Sequence, residues 1–368
     1  MILFLHNRYR VTGGEERVVD DLLWLVREHL REDAELLTRD SAALGRARAA
    51  VGLLRGGLEP EDVAAAVRRT GARVVHAHNI NPALGWRALA AARAAGARVV
   101  LHLHNYRLVC AVGTCFNSRG EDCIRCRGAN TLPGVRLNCR GTGAEALVYG
   151  ASLALWQRRL IGQADALVVP SLFARGRLRA LRAPLDDERF HVVPPVVRSF
   201  AARSEAAAGT YALVASRLAA EKGVETAIEA CARAGLPLVV AGDGPQAAAL
   251  AERAQDSVRF TGRVSDGELA DLRAGAALAL VPSRAAETFG LAAAEAMAAG
   301  LPVVATAAGA LPELVDGAGL VAPGDAGALA AAARARFADA RAGEEGLHRV
   351  RALAAPDAVV LRLAAVYG

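Results

Sequence analysis

Two carboxylates in the second half of the chain are spaced so that both can serve one binding site. Glu287 and Glu295 are separated by seven residues, and Glu295 lies in an Ala-rich stretch that favours a helix. Glu287 would lie in the loop that leads into this helix and Glu295 about a turn inside it, where free backbone N–H groups also point. Carboxylate oxygens in such a crevice accept hydrogen bonds from adjacent hydroxyl groups of a sugar or ribose. For either glutamate alone, a solvated helix charge is the alternative interpretation.

Two cations lie where a diphosphate would bind. Arg217 and Lys222 flank a loop after the predicted strand 211–215, and open α/β sheets bind ligands at the carboxyl ends of their strands. Lys222 is the only lysine among 44 basic residues, so a compact ammonium group is kept here while arginine is used elsewhere. No D-x-D sequence is present to hold a metal ion beside a diphosphate, so these two cations would neutralise it.

Four histidines lie on two predicted strands in the first half of the chain. Strands 73–79 and 98–105 flank a predicted helix, 86–95, and this order predicts a parallel βαβ unit. Residues two apart share one face of a strand, which pairs His76 with His78 and His102 with His104. Four histidines could hold a metal ion. For His76 and His102, however, we favour polar groups whose hydrogen bonds are satisfied at the strand ends.

A pair of glycines precedes the predicted helix 15–29. Gly13 and Gly14 would let the backbone approach a phosphate or a sugar closely, and the helix N-terminus favours negative charge. An ordinary loop is the alternative interpretation.

Residues 106–143 show neither helical nor strand periodicity and contain five of the six cysteines, which predicts a functional or cross-linked insertion. Cys123 and Cys126 have the C-x2-C spacing of a zinc knuckle, and Cys110 and Cys139 could complete a tetrahedral thiolate site. Free structural thiols are the alternative, because a reducing cytosol disfavours disulfides.

Length and composition exclude several classes of protein. The 368 residues are 53% hydrophobic, enough for two domains with real cores and too apolar for a disordered chain. A net charge of +6 suits an anionic small substrate, an anionic lipid surface or nucleic acid equally. Only 4% of residues are aromatic and no basic run is interleaved with aromatics, which disfavours nucleic acid.

No uninterrupted apolar run of about 18 residues and no leader pattern occur, so we expect a cytoplasmic protein. The predicted helix 151–163 could contact the inner membrane face, although a core-facing helix is the favoured interpretation.

Several motifs together resemble the retaining glycosyltransferases of family 4, which have the GT-B fold. The E-x7-E pattern precedes GLPVVAT, and the other matching segments are ASRLAAEKG (215–223), VVAGDGP (239–245), VRFTGRVSDGEL (258–269), HLHN (102–105) and the Gly-Gly loop. The sequence HNYRLVC followed by C-x2-C and LPGVRLNC resembles a subgroup with a Cys-rich insertion, in which Cys115 would be an extra cysteine.

This resemblance implies an α/β protein with two Rossmann-like, doubly wound domains facing a central cleft. An N-terminal, acceptor-side domain would span 1–198 and a linker 199–209. A nucleotide-sugar-binding domain would span 210–352, and a C-terminal helix, 353–368, would cross back to the first domain.

The resemblance also assigns roles to individual residues. The catalytic residues would be His104, Glu287, Arg217 and Lys222. The nucleotide-sugar would be bound by Gly13, Gly14, Arg217, Lys222, Gly242, Arg263, Val264, Glu287, Phe289, Gly290, Leu291 and Glu295. Glu295 would hold the ribose, Glu287 the hydroxyls of the donor sugar, and Arg263 with Val264 would lie beside the nucleobase.

The implied reaction is transfer of a hexosyl or N-acetylhexosaminyl group, with retention and without a catalytic metal, from a nucleotide diphosphate donor. The resemblance favours a UDP-sugar, and the acceptor would be a hydroxyl of a sugar, a lipid-linked sugar or a natural product. Front-face attack and a covalent intermediate both stay open. The alternatives are a same-fold nucleotide-sugar epimerase or phosphorylase and a non-catalytic nucleotide-sugar-binding module.

Overall fold

Short apolar strands at regular intervals build two parallel sheets, one in each of two units of the chain. The structure is a computed structural model and describes residues 1–10 and 13–368. The first unit comprises Met1–Arg119, Cys123–Val196 and Pro356–Gly368, and the second comprises Val197–Ala355 with Gly120–Asp122.

The first unit contains a six-stranded sheet in which every pairing is parallel. Its strands are β1 (Ile2–Arg8), β2 (Ala34–Asp40), β3 (Val74–Ala77), β4 (Arg98–His102), β5 (Ala166–Val169) and β6 (Phe190–Val192). The order β2-β1-β3-β4-β5-β6 reverses the direction of winding between β1 and β3. Because β3 and β4 are neighbours in parallel register, the residues that follow them meet at one edge of the sheet.

Seven helices connect these strands among the described residues. They are α1 (Gly14–Glu28), α2 (Arg46–Arg55), α3 (Pro60–Thr70), α4 (Gly85–Ala94), α5 (Leu132–Arg136), α6 (Gly143–Gln163) and α7 (Leu172–Ala180). The Ser171 hydroxyl accepts a hydrogen bond from the Ala174 N–H and so caps α7, as its position in the sequence predicts.

The predicted start of the helix at Ala151 is wrong. Helix α6 begins eight residues earlier, at Gly143, where the Thr142 hydroxyl caps it by accepting from the Glu145 N–H. The insertion 106–143 also contains a short helix, α5, which lacks any sequence periodicity because it is only five residues long. The extra turns of α6 pack against α5, so the insertion is held by a helix that the periodicity did not reveal.

The second unit has a second six-stranded parallel sheet, in the order β12-β11-β10-β7-β8-β9. Its strands are β7 (Tyr211–Ala215), β8 (Leu238–Ala241), β9 (Val258–Gly262), β10 (Ala276–Val281), β11 (Val303–Thr306) and β12 (Leu320–Val321). Its helices are α8 (Val224–Ala234), α9 (Ala247–Arg253), α10 (Asp266–Ala274), α11 (Leu291–Ala298), α12 (Leu311–Leu314), α13 (Ala326–Arg336) and α14 (Ala340–Ala354).

Central strands of the second sheet, such as β7, are apolar on both faces because helices cover both faces. On β7, Leu213 belongs to one apolar cluster, while Ala212 and Val214 belong to another. The sheet therefore separates two cores.

The last helix, α15 (Pro356–Tyr367), belongs to the first unit. Its Tyr367 hydroxyl lies 2.8 Å from Nδ1 of His76, and the Val366 carbonyl accepts from Arg98. In the described part of the chain, no helix is both long enough and apolar enough to cross a bilayer.

Two glycines at the ends of α8 offer a matched test of how tightly the second unit packs around Lys222. Gly223 and Gly235 both have left-handed φ angles, +63° and +66°. A Cβ at Gly223 would lie 2.2 Å from the Pro282 carbonyl oxygen, whereas a Cβ at Gly235 would contact nothing within 4 Å.

We expect Gly223→Ala to lower the melting temperature about 5 °C more than Gly235→Ala, because only Gly223→Ala adds a steric clash of about 1–3 kcal/mol to the left-handed strain. Thermal unfolding followed by circular dichroism measures both. Equal melting temperatures for the two variants would show that the loops separate without cost.

Candidate functional site

An ion pair joins two of the predicted site residues in the second unit. The Lys222 ammonium donates to Oε1 of Glu287 over 2.6 Å, and the Ser283 hydroxyl donates to the same oxygen over 2.6 Å. Lys222 follows β7 and Glu287 follows β10, neighbouring strands of the sheet. The sheet thus brings together residues 65 positions apart in the chain.

The environment of Glu287 keeps its carboxylate ionised. Burial acts to raise the pKa of Glu287, but the Lys222 charge and the hydrogen bonds from Lys222 and Ser283 outweigh it, so the pKa lies below its usual value. Both partners are still reachable, since 30% of the Lys222 side chain and 18% of the Glu287 side chain are exposed. The pair is therefore accessible to a charged or hydroxylated ligand.

Backbone contacts fix the loop that carries Glu287. The Ala310 N–H donates to the Glu287 carbonyl over 2.9 Å, next to a parallel bridge between Glu287 and Gly309. Ser283, which is 1% exposed, is held in turn because its carbonyl accepts from the Thr306 hydroxyl over 2.5 Å. Sequence reasoning missed Ser283, because a serine after a buried strand is common and carries no distinguishing signal.

The second predicted carboxylate, Glu295, lies in α11 and forms an ion pair with Arg273 of α10. Each of these side chains is only 13% exposed. Arg273 carries no sequence signal, because it is one of many arginines and lies 22 residues from its partner. The ion pair holds the Glu295 carboxylate in one place.

Three predicted site residues, Phe289, Gly290 and Leu291, lie between the two carboxylates. Gly290 directly precedes α11 with a φ of +100°, and the Phe289 side chain is 4% exposed and packs in the core. Leu291 is half-buried as the first residue of the helix. Any contact of Phe289 with a ligand would therefore be made by its main chain.

The other predicted cation, Arg217, pairs with Glu221 four residues later in the same loop. About half of the Arg217 side chain is exposed. Gly242 packs against the start of this loop, because a Cβ at Gly242 would lie 1.9 Å from the carbonyl oxygen of Ser216. The Gly242 N–H donates to the carbonyl of Gly262, in β9. The close approach of Gly242 to Ser216 thus explains the glycine without a ligand.

Arg263 and Val264 directly follow β9. Arg263 is exposed, whereas Val264 is half-buried and packs against the core. The structure therefore leaves the guanidinium of Arg263 accessible.

The remaining predicted site residues belong to the first unit. His104 follows β4, and its Nε2 lies 2.7 Å from Nδ1 of His78. Its ring stacks on that of His102 with a centroid separation of 4.0 Å. Burial and the neighbouring His6 lower the pKa of His104 to about 3, so the imidazole is neutral at physiological pH.

The prediction that strand-end hydrogen bonds satisfy both His76 and His102 holds for only one ring nitrogen of His76 and is wrong for His102. Nδ1 of His76 has a partner in Tyr367. Both ring nitrogens of His102 are buried and lack a hydrogen-bond partner among residues 1–10 and 13–368. The ring packs between other imidazoles, which offer it stacking but no complementary donor or acceptor.

The glycine loop is occupied by a side chain of its own helix. Gly13 precedes α1 and Gly14 begins it, and the Gly13 N–H donates to Oε2 of Glu16 over 2.8 Å. Burial acts to raise the pKa of Glu16, but the His6 ring 3.7 Å away and hydrogen bonds from the backbone N–H groups of Tyr9 and Gly13 lower it to about 2. Glu16 thus competes with any anion for the Gly13 N–H.

All five cysteines of the insertion are thiols. A hydrogen bond with the Cys115 thiol lowers the pKa of Cys110 to about 6. Burial raises the pKa of Cys126 to about 11, and the charges of Cys110, Cys123 and Cys139 act in the same direction. Cys110, Cys123, Cys126 and Cys139 thus interact electrostatically.

Because the pKa of Glu287 is lowered on folding, its ionised form stabilises the folded state. This contribution is complete above the usual pKa of 4.5 and is lost as the pH falls through the lowered value. We expect Glu287→Gln to cost about 1–3 kcal/mol at pH 7 and progressively less below pH 4.5. Thermal unfolding of both proteins between pH 7 and pH 3 measures the difference.

Glu345→Gln is the matched control, because this carboxylate is 53% exposed and pairs with an exposed arginine of its own helix. It should have little effect at any pH. A constant difference between the wild type and Glu287→Gln over the whole range would contradict the lowered pKa.

Comparison with known proteins matches both units to glycosyltransferases. The family model described as "Glycosyl transferase 4-like domain" matches residues 8–196, just over half of the chain, and "Glycosyl transferases group 1" matches residues 209–339. A GDP-mannose-dependent alpha-mannosyltransferase from Corynebacterium glutamicum is 38% identical over 135 residues, covering 36% of this chain and 32% of that protein. The chain spans less than half the length of each curated relative it matches.

Solved structures match over nearly the whole chain. Sucrose-phosphate synthase from Thermosynechococcus elongatus has a TM-score of 0.72 at 20% identity, with 100% of this chain and 98% of that chain covered. Anabaena HepE in complex with UDP-glucose has a TM-score of 0.63 at 19% identity, with 99% and 98% covered. These similarities confirm the predicted GT-B fold of two Rossmann-like domains. With a family model covering more than half of its length, the chain belongs to the glycosyl transferase 4-like family.

Proposed function

We propose that the protein transfers a hexosyl or N-acetylhexosaminyl group from a nucleotide diphosphate to a hydroxyl of an acceptor, with retention at the anomeric carbon. The observation that carries the proposal is the accessible pair of Lys222 and Glu287 at the carboxyl end of the second sheet. A single ion pair there offers both a cation for phosphate oxygens and a carboxylate for sugar hydroxyls.

The cations would act on the leaving group. When the sugar–phosphate bond breaks, positive character develops on the sugar ring and negative charge on the departing diphosphate. Lys222 and Arg217 would stabilise that negative charge, a contribution that is usually among the largest in catalysis. Because the two cations supply this stabilisation, the proposed reaction needs no catalytic metal.

The donor would exchange ion pairs on binding. Lys222 is paired with Glu287 and Arg217 with Glu221, so a diphosphate must compete with two carboxylates of the protein. Glu287 would then turn to the hydroxyls of the donor sugar, which donate to it in place of the ammonium group. Glu295, held by Arg273, would accept from the ribose hydroxyls.

His104 would contact the donor sugar as a neutral hydrogen-bonding group. Its pKa of about 3 excludes a positive charge at physiological pH, so it would not compete with the cations for phosphate. Gly13 and Gly14 would contribute backbone at the N-terminus of α1, where a donor phosphate would have to displace the Glu16 carboxylate from the Gly13 N–H.

The nucleobase separates two versions of the proposal. The resemblance in the motifs favours uracil, and the HepE structure contains UDP-glucose. The Corynebacterium relative is named for GDP-mannose. We retain the UDP-sugar as the proposed donor and the GDP-sugar as the competitor, with Arg263 and Val264 beside the base in either case. A sugar, a lipid-linked sugar presented at the inner membrane face or a natural product would be the acceptor.

We expect Lys222→Ala and Glu295→Ala each to reduce turnover about a hundredfold or more, because each removes a charged partner fixed by the fold. Turnover is measured as nucleoside diphosphate released in the presence of acceptor sugars. A panel of UDP- and GDP-sugars in a thermal-shift assay first identifies the donor, since a ligand that binds only the folded protein raises its melting temperature.

Arg341→Ala and Glu345→Ala are the controls, because both side chains are exposed and pair with each other. Near-normal activity in Lys222→Ala would refute the proposed role of the cation. Donor binding without turnover on any acceptor would favour a binding module, and conversion of the donor without an acceptor would favour an epimerase.

We further propose that the insertion marks a Cys-rich subgroup of the family and holds a structural zinc ion through Cys110, Cys123, Cys126 and Cys139. Zinc would bind their thiolates tetrahedrally and hold the loop together.

Cys126→Ser should lower the zinc content by about one ion per chain relative to Cys231→Ser, and it should also lower the melting temperature. Cys231 is the matched control because it is buried in α8 of the second unit. Equal zinc content in the two variants would remove the proposal.

A further inference from the structure

Three buried imidazoles in the first unit have ring nitrogens without a hydrogen-bond partner. His76, His78 and His102 are 0%, 2% and 2% exposed. Within the described residues, no group bonds to Nε2 of His76, to Nε2 of His78 or to either ring nitrogen of His102. Buried polar atoms are nearly always hydrogen-bonded, and leaving one without a partner costs about 1–3 kcal/mol. Three such rings side by side call for an explanation.

The second nitrogen of two of these rings is already held. Nδ1 of His76 lies 2.8 Å from the Tyr367 hydroxyl, and Nδ1 of His78 lies 2.7 Å from Nε2 of His104. If Nδ1 is the donor in both contacts, each Nε2 presents a lone pair. Metal-binding histidines are commonly arranged in this way, with one nitrogen donating to a neighbour that orients the ring and the other free for the ion.

The three rings are close enough to share one ion. His76 lies on β3 and His102 on the neighbouring β4, while His78 follows β3 two residues after His76 and so shares its face. One nitrogen can be chosen from each ring so that the three lie within 4.8 Å of one another. Their ring centroids are 4.4, 5.3 and 5.4 Å apart. Around a tetrahedral zinc ion with bonds of about 2.0–2.1 Å, ligand nitrogens lie about 3.3 Å apart. The rings must therefore turn toward a common centre as they bind the ion.

We propose that His76, His78 and His102 form a binding site for a divalent transition-metal ion such as Zn²⁺, with a fourth coordination position left for water. Imidazole nitrogen suits zinc, copper, nickel and cobalt, whereas magnesium and calcium prefer oxygen ligands.

This histidine site differs from the proposed cysteine site both in its ligands and in the parts of the structure that a bound ion would hold together. Its three ligands are imidazoles on or directly after the adjacent strands β3 and β4, and Tyr367 connects the site to α15. The bound ion would join β3 and β4 to each other and, through the contact between His78 and His104, would fix the orientation of the His104 ring. The proposal does not depend on glycosyl transfer, since it concerns metal binding alone.

Cobalt binding to the full chain, prepared without a histidine tag, tests the site. Cys123→Ser/Cys126→Ser serves as the parent protein, so that thiolates do not hold the ion. After chelator treatment, Co²⁺ loading and desalting, we expect about one cobalt ion per chain. The visible spectrum should be that of tetrahedral nitrogen coordination, without a thiolate charge-transfer band. His102→Gln in this parent should retain at least tenfold less cobalt, whereas His191→Gln, in β6, should retain as much as the parent.

Tyr367→Phe provides a second variant that leaves all three ligands in place. It should weaken cobalt affinity roughly 10–100-fold, the usual effect of losing a group that orients a ligand. If circular dichroism shows that His102→Gln does not fold, Tyr367→Phe is the variant that tests the metal site. The proposal is overturned if the parent retains less than about a tenth of a cobalt ion per chain. It is also overturned if the parent and His102→Gln retain equal amounts of cobalt. Where His102→Gln does not fold, unchanged cobalt affinity in Tyr367→Phe overturns it instead. The cluster would then be a stack of neutral rings held by packing.

Discussion

Close backbone contact between loops at the carboxyl edge of the second sheet is the constraint on which the candidate site depends. The N–H groups of Arg284 and Ala285 both donate to the Glu221 carbonyl, at 2.9 and 3.1 Å. These bonds join the loop after β7 to the loop after β10. Lys222 follows Glu221 directly, so its ammonium group is delivered to the Glu287 carboxylate by main-chain geometry. The accessible ion pair is thus a consequence of how two loops pack, and the loops pack because Gly223 has no side chain to separate them.

Much of the fold could be predicted from the sequence because its signals are local. Buried parallel strands are short apolar runs such as 238–241 and 303–306, and the polar residues that follow them mark the edge where ligands bind. The motifs that follow these strands predicted the GT-B fold, which the structural comparisons confirm. The Ser171 cap was likewise readable from one residue type before a helical stretch.

The details of the site were less predictable because they depend on partners that are distant in the chain. The spacing of Glu287 and Glu295 indicated two nearby carboxylates, but it could not indicate that Lys222 neutralises one and Arg273 the other. The same limit applies to His102. Among the described residues its ring nitrogens lack hydrogen-bond partners because of how the strands pack, and its neighbours in sequence do not indicate this. The roles assigned to these residues in catalysis stay predictions. Helix α6 shows the limit for secondary structure, because its first eight residues, 143–150, begin and end with glycine, which weakens their helical signal.

The position of α15 has a consequence for the order in which the chain folds during synthesis. The first unit includes residues 356–368, which the ribosome delivers only after the whole of 197–355. Until then Arg73, Arg98 and His76 lack the main-chain and hydroxyl groups of the helix that they bind in the finished protein. Domains generally fold as units while the chain emerges, beginning with the N-terminal one. In this chain the second unit can complete its fold before the first, because the first unit still lacks its final helix when the second has been synthesised.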